Sequence, residues 1–208
     1  EEEQLAQIKD WWQRNGKPLM LGAVIALVLV FGWQFWQKHQ INQAQSASVL
    51  YQQLLTAALE SGEVDAAEVS RLGNLLKKDF AGTHYAQYGS LFIAKVAVEA
   101  GRLDEAASEL RAILDKPADK TLDELARQRL ARVLAAQDKA DEALKLLDGE
   151  ADKAFAASRE ELKGDLLVQL GRDDEAHAAY SKAKESLSQD AAIGGLQMKL
   201  DDLARGEA

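Results

Sequence analysis

The fold of this chain is decided by the segment VEAGRLDEAASELRAIL, residues 98–114, because its central pattern returns twice. Two later segments align with it without gaps, AAQDKADEALKLLDG (135–149) and VQLGRDDEAHAAYSKA (168–183). The shared glutamates Glu105, Glu142 and Glu175 lie 37 and then 33 residues apart. Two helices and a polar turn repeated at this period are typical of a helical solenoid.

In each copy, the residue types at the junction between the two helices suit the end of one helix and the start of the next. Gly101 and Gly171 permit the backbone conformation that ends one helix. The acids that follow, such as Asp104 and Glu105, favour the positively polarised start of the next helix, and an alanine then lets the helices approach closely. The second helix carries the expected apolar stripe, formed by Ala106, Leu110, Ile113 and Leu114 in one copy and by Ala143, Leu144 and Leu147 in another.

These positions resemble the tetratricopeptide repeat family. The last copy matches the family pattern best. Its small position is Gly164, its bulky position Leu167, its turn glycine Gly171, its aromatic position Tyr180, and its two alanine positions are Ala176 and Ala183. The unit from Tyr85 keeps Ala94, Gly101 and Ala106 but has Leu110 for the aromatic residue. The unit from Thr121 keeps Leu130, Ala131, Leu134 and Ala143 but has Asp138 for the turn glycine.

The predicted repeat array covers residues 44–187. A degenerate first copy, SGEVDAAEVSRL (61–72), keeps only Gly62 and Ala67, and the final segment, residues 191–206, is predicted to cap the open end. The resemblance implies a stack of helix pairs whose first helices form a concave surface that binds peptide segments.

Composition agrees with a helical protein. Hydrophobic residues make up 47% and charged residues 28%, as in a folded chain, and there are only two prolines. The chain has no cysteine, which excludes disulfides and thiol chemistry. Its net charge of −9, with −8 on residues 37–208, argues against binding to nucleic acid or to anionic lipid surfaces.

A transmembrane helix is predicted over residues 18–37, PLMLGAVIALVLVFGWQFWQ, which carry no formal charge. At roughly 1.5 Å per residue these 20 residues span about 30 Å, which matches the ~30 Å thickness of the hydrocarbon core. Tryptophans flank the run, as expected at the membrane boundary. Two alternatives are a buried core helix, which an apolar surface on every face disfavours, and a cleaved signal peptide, which usually has a shorter apolar run and a small-residue cleavage site.

Basic residues predict the orientation of this span. Lys9, Arg14 and Lys17 precede it, whereas Lys38 follows it, so we expect the tail, residues 1–17, to lie in the cytoplasm. The domain formed by residues 38–208 would then lie on the outer side of this membrane. We also expect residues before Glu1, because the sequence does not begin with methionine.

No glycine or proline lies between Trp33 and Ser61. We therefore expect the membrane helix to continue into the first repeat without a flexible linker. A helix from Pro18 to Glu60 would be about 65 Å long, at roughly 1.5 Å per residue, and would act as a semi-rigid stalk.

Catalytic, cofactor and metal motifs are not found. The histidines at positions 39, 84 and 177 lack metal-ligand spacing, and the sequence has no P-loop, G-x-S-x-G or G-x-G-x-x-G motif. Asp173 and Asp174 fall at a predicted helix start, where capping explains them. We therefore expect a protein that is not an enzyme and has no cofactor.

Binding to other proteins is the remaining function. Tyr85, Tyr88 and Phe92 are spaced for one helical face and are candidate partner-binding residues, although rings at this spacing also pack repeat cores. Gly22 and Ala26 form a small-xxx-small pair that could contact another membrane helix, although small residues are common in such spans.

Over its whole length the chain is similar to the YfgM family of ancillary subunits of the bacterial SecYEG translocon, most clearly in residues 11–37. This resemblance implies association with SecYEG, pairing with a PpiD-like periplasmic chaperone, and help in passing translocating polypeptides to periplasmic chaperones. It also implies a stress-regulatory role of the cytoplasmic tail. The alternative is a membrane-anchored scaffold or regulator that binds one folded partner in envelope assembly or stress signalling.

Overall fold

The computed structural model describes residues 2–59, 64–187 and 194–206, and every regular element in these ranges is an α-helix. The predicted all-α class is therefore confirmed. The helices are α1 (Glu2–Leu59), α2 (Ala66–Asp79), α3 (His84–Glu99), α4 (Leu103–Asp115), α5 (Lys120–Ala136), α6 (Ala140–Leu146), α7 (Ala156–Gln169), α8 (Asp173–Ser186) and α9 (Gly194–Gly206).

Helix α1 contains the predicted span. Its most apolar window has a mean hydropathy of 2.1 and none of it is buried, so this helix is long and apolar enough to cross a membrane. The alternative of a buried core helix is therefore wrong. The helix is unbroken to Leu59, as the lack of glycine and proline after Trp33 predicts, whereas Glu60 lies outside the described residues.

Helix α1 begins before the predicted span, because residues 2–17 are also helical and Pro18 lies inside the helix. Proline there lacks the backbone N–H that would bond the carbonyl of Arg14, and its ring crowds that carbonyl, so the helix loses one hydrogen bond at this point. The preceding residues are mostly good helix formers, so the helix continues through this position. By its contacts the chain divides into two compact units, Glu1–Ser46 and Ala47–Ala208.

In the second unit the helices pack in chain order. Each of α2 to α8 contacts the next helix, and α3, α5 and α7 also contact one another in succession. A positive-φ turn joins the helices of the pairs α3/α4, α5/α6 and α7/α8. Before these pairs, Ala47 and Leu54 at the end of α1 share a buried cluster with Leu72 and Leu76 of α2. The predicted cap is confirmed by α9, which packs on α8, whereas Gly62 and residues 191–193 lie outside the described part of the chain.

The same turn joins the two helices of each pair. Gly101, Asp138 and Gly171 all have a positive φ, of 74°, 60° and 69°. In each turn the next backbone N–H donates to the carbonyl five residues earlier, at 2.8 to 2.9 Å, as in a Schellman motif. Asp138 thus takes the place of the turn glycine, because aspartate tolerates this left-handed conformation better than most residues.

The start of the following helix differs from the prediction in one detail. The N-cap residues are Arg102, Lys139 and Arg172, and none makes a side-chain cap hydrogen bond. Asp173 and Asp174 lie in the first turn of α8 rather than at its N-cap, so the prediction that they cap the helix is wrong. They still lie at the positively polarised end of the helix, where negative charge is favourable.

The repeat residues form the core. Ala106, Ala143 and Ala176, one in the second helix of each pair, are fully buried. In the last pair the Tyr180 ring lies against Gly164, where an added Cβ would be only 2.3 Å from Cε1 of the ring. Small residues therefore set the separation of the helices, as the resemblance to tetratricopeptide repeats predicts.

A buried ion pair joins α5 to α7. Arg159 donates from Nε to Oε1 of Glu124 at 2.9 Å, and its second terminal nitrogen donates to Oε2. Gln128 also donates to Glu124, at 2.9 Å, and Arg159 reaches the carbonyl oxygen of Gly149. Burial alone would raise the pKa of Glu124, but the hydrogen bonds from Arg159 and Gln128 hold that pKa below its ordinary value.

Candidate partner-binding surface

The first helices of the three complete pairs, α3, α5 and α7, form one continuous layer. Val98, Ala135 and Val168 occupy the same position in these helices, three residues before each positive-φ turn. Val98 and Val168 are 42% and 41% exposed, and Ala135 is half-buried. These three residues, here called the apolar stripe, present hydrophobic surface on one face of the repeat array.

A cavity of about 330 Å³ opens beside this stripe, between α3 and α5. Its inner wall consists of buried side chains, including Leu91, Leu110 and Val133. Lys95, Glu99, Arg129 and Arg132 also line it, and all four are exposed. The cavity therefore has an apolar interior and a charged rim.

The rim carries excess positive charge. Lys95 Nζ lies 3.6 Å from Glu99 Oε1, so these two charges compensate each other. Arg129 and Arg132 form no ion pair with any residue that the structure describes. The Arg129 side chain is exposed as a whole, but partial burial of its guanidinium and the nearby charge of Arg132 lower the pKa of Arg129.

The aromatic residues singled out in the sequence come together, but around a ring that the sequence analysis missed. Tyr51 in α1 lies 5.4 Å from Tyr85, 5.5 Å from Tyr88 and 6.2 Å from Phe92, measured between ring centroids. All four rings are half-buried, and burial and the neighbouring tyrosines raise the pKa of Tyr51. Much of their surface thus packs the repeat core, while part of each ring remains accessible.

A signal for Tyr51 was present in the sequence. Ala47, Leu54 and Ala58 recur at helical spacing on either side of it, and all three are buried. This stripe marks the last turns of α1 as the first helix of a degenerate repeat. The stripe predicts the packing but not which ring of the next unit Tyr51 contacts.

Gly22 and Ala26 lie one turn apart on α1, and both are exposed. A Cβ added at Gly22 would meet no atom within 4 Å. The two residues thus leave a shallow, open position on the helix, which is suited to contact with another helix.

Metal-binding geometry is not found among the described residues, where no three His, Cys, Asp or Glu side chains are grouped to hold an ion. His84 lies beside Asp119, with Nε2 3.4 Å from Oδ2, and this pair is exposed. The other acids singled out, Asp173 and Asp174, are exposed at the start of α8.

The chain matches the family model described as tetratricopeptide repeat-like domain over residues 9–205. It is also similar to proteins named ancillary SecYEG translocon subunit. The protein from Escherichia coli (strain K12) is 31% identical over 207 residues, which cover 98% of this chain and 97% of the relative. The relative from Neisseria gonorrhoeae (strain ATCC 700825 / FA 1090) is 30% identical, with coverage of 98% and 97%.

A third relative, from Haemophilus influenzae (strain ATCC 51907 / DSM 11121 / KW20 / Rd), is 30% identical over 189 residues, or 91% of each chain. The similarity therefore extends through the apolar helix, the repeat array and the cap. The resemblance noted in the sequence is confirmed, and the chain belongs to the tetratricopeptide repeat-like family of the ancillary SecYEG translocon subunits.

Proposed function

We propose that this protein is a non-catalytic accessory subunit of the Sec translocon, anchored in the bacterial inner membrane by residues 18–37. The observation that carries the proposal is the similarity to named translocon subunits over 98% of the chain. The apolar, exposed segment of α1 supports membrane anchoring. Lys9, Arg14 and Lys17 before this segment support a cytoplasmic N-terminus and a periplasmic domain formed by residues 38–208.

The periplasmic solenoid, in this proposal, binds protein segments at the layer of first helices. The apolar stripe and the cavity between α3 and α5 provide accessible hydrophobic surface for such contacts. The partners would be a PpiD-like periplasmic chaperone and translocating polypeptides, which the subunit helps to transfer to other chaperones. Tyr85, Tyr88 and Phe92 lie on α3, the first helix of this layer. The cytoplasmic tail would carry the stress-regulatory role.

Contact with the translocon would be made in the membrane, through Gly22 and Ala26. Both residues are small and exposed on one face of α1, so a partner helix could approach its backbone closely. The lipid bilayer covers the other faces of the span.

Site-specific photo-crosslinking in cells tests these contacts. Crosslinkers at Gly22 and Ala26 should capture a translocon subunit or its chaperone companion. A crosslinker at Val28, which is 65% exposed on the opposite face of the helix, is the matched control. If neither small-residue position captures such a protein, the translocon assignment is wrong.

Crosslinkers at Tyr88 and Val98 test the role of the solenoid. Many different exported proteins should be captured at these positions if the solenoid relays polypeptides. Arg111, an exposed residue on the second helix α4, is the control position. One dominant folded partner would instead support the scaffold or regulator function.

A further inference from the structure

The cavity between α3 and α5 combines an apolar interior with two arginines, Arg129 and Arg132, that pair with no acid in the part of the chain that the structure describes. We propose that it binds a protein segment in which a large apolar side chain stands next to an acidic residue. The apolar side chain would enter the cavity, and the carboxylate would be held by Arg129 and Arg132. This inference rests on the proposed function and specifies the chemistry of the partner.

The interior suits a hydrophobic anchor. At about 330 Å³, the cavity lies at the small end of the range for ligand sites, so it would take one or two side chains. Leu91, Ala94, Leu110 and Val133, all of which line it, are at most 6% exposed. Because these walls belong to packed helices of two successive repeats, the cavity exists without rearrangement of the backbone, and buried anchors in such pockets dominate interface energies.

The rim suits a carboxylate. Five other arginines pair with a carboxylate of the chain, namely Arg71, Arg102, Arg127, Arg159 and Arg172, whereas Arg111 on α4 pairs with none among the described residues and does not line the cavity. In the described residues Arg129 and Arg132 have no such partner, although each is exposed at the same opening. Two guanidinium groups close together repel each other, and a carboxylate between them would relieve this repulsion through directed hydrogen bonds.

The surrounding charge makes this pair selective. Residues 37–208 carry a net charge of −8, so a strongly acidic partner would be repelled by most of the domain. Only a segment with a single carboxylate near its anchor would gain from the two arginines without that cost. The partner is therefore mainly apolar, with one acidic side chain beside the anchor residue.

Peptide binding to the full chain in zwitterionic nanodiscs tests the inference. The probe is a fluorescent peptide with blocked ends and a central Phe-Glu pair in a Gly/Ser background. Its two matched controls carry Phe-Gln and Ala-Glu. Fluorescence anisotropy should give a Kd tighter than about 1 mM for Phe-Glu and binding roughly five- to tenfold weaker for each control.

Variants of the chain assign the contacts. Replacing both arginines (Arg129→Gln with Arg132→Gln) should remove the preference for Glu over Gln, while Ala136→Trp should fill the opening and abolish binding of both phenylalanine peptides. Arg111→Gln, at an exposed arginine on α4, should change nothing. All these positions are exposed, and circular dichroism should show unchanged helicity.

The inference is overturned if the Phe-Glu and Phe-Gln peptides bind equally, or if the double arginine variant keeps the preference for Glu. Capture of the translocon at Gly22 and Ala26 is measured independently. Peptide selectivity without that capture would leave the inference standing and contradict the translocon assignment. Capture of the translocon without peptide selectivity would support the translocon assignment and overturn the inference.

Discussion

At position 164 the side chain is a single hydrogen, and this allows the Tyr180 ring to pack directly on the backbone of α7. We expect Gly164→Ala to destabilise the protein by about 1–3 kcal/mol, because the new Cβ would lie 2.3 Å from the ring. The free energy of unfolding of the full chain in nanodiscs, measured with urea, checks this.

The control is the same substitution in open space. Gly195 lies in α9, and a Cβ there would meet no atom within 4 Å. Gly195→Ala should therefore stabilise the protein slightly, through the higher helix propensity of alanine. Equal effects at the two positions would show that the Tyr180 contact does not set the helix separation.

At the scale of single residues, the sequence predicted the positions that recur in each repeat but not the residues that occur in only one place. Gly164, Tyr180 and the buried alanines follow from the family pattern. The N-cap aspartates Asp65 and Asp119, which accept hydrogen bonds from the first turns of α2 and α5, were not singled out. Asp119 lies between two repeats and Asp65 lies inside the degenerate first one, and at both places the connecting segment differs in length from the three positive-φ turns, so the repeat period does not identify them.

Between elements, the ion pair of Glu124 and Arg159 fixes α5 against α7. Glu124→Leu should cost about 3–5 kcal/mol of unfolding free energy, because it leaves the Arg159 charge buried without its partner. Far-UV circular dichroism during urea unfolding of the full chain measures the loss.

The double variant Glu124→Leu with Arg159→Leu distinguishes the cost of the unpaired buried charge from the effect of changed packing. It should recover most of the lost stability, because no unpaired charge remains. If the double variant is as unstable as the single one, the ion pair is not the source of the effect.

The pairing of elements was only partly predictable from the sequence. Asp123 and Arg127 are four residues apart, and this spacing predicts the ion pair that they form within α5. Glu124 and Arg159 are 35 residues apart, and nothing in their local sequence links them. The arginines at the rim of the cavity, which pair with no acid among the described residues, were predictable in part. Neither Arg129 nor Arg132 has an acidic residue three or four positions away, so the sequence offers neither of them an ion pair within α5.

For the molecule as a whole, two buried glutamates predict loss of stability in acid. Burial alone would raise the pKa of Glu160, but hydrogen bonds from Lys182 and Lys163 hold that pKa below its ordinary value, as Arg159 and Gln128 do for Glu124. A lowered pKa in the folded state contributes stability above the unfolded pKa of about 4.3, and this stability is lost as the pH falls through the folded pKa.

Thermal unfolding between neutral pH and about pH 3 measures the effect. We expect the Tm to fall steeply below about pH 4.3, and to fall less steeply for Glu160→Gln than for the unaltered chain. Glu142→Gln, at an exposed position, should reproduce the unaltered pH profile. A profile for Glu160→Gln that is as steep as the original would rule out this carboxylate.

The unbroken α1 makes a further prediction. Because residues 37–48 are helical throughout, proteases should cut them slowly in the membrane-embedded protein. Limited proteolysis with mass spectrometry should give first cuts elsewhere. Rapid cleavage in this stretch would contradict the semi-rigid stalk.

Packing in chain order also has a consequence for how the protein is made. Each helix of the second unit contacts the helices next to it in sequence, so most native contacts are local. Chains with local contacts fold quickly, and repeat arrays can add one unit at a time. The array could therefore assemble progressively while its own C-terminus is still being synthesised, with α9 closing the exposed end of the last helix pair as the final step.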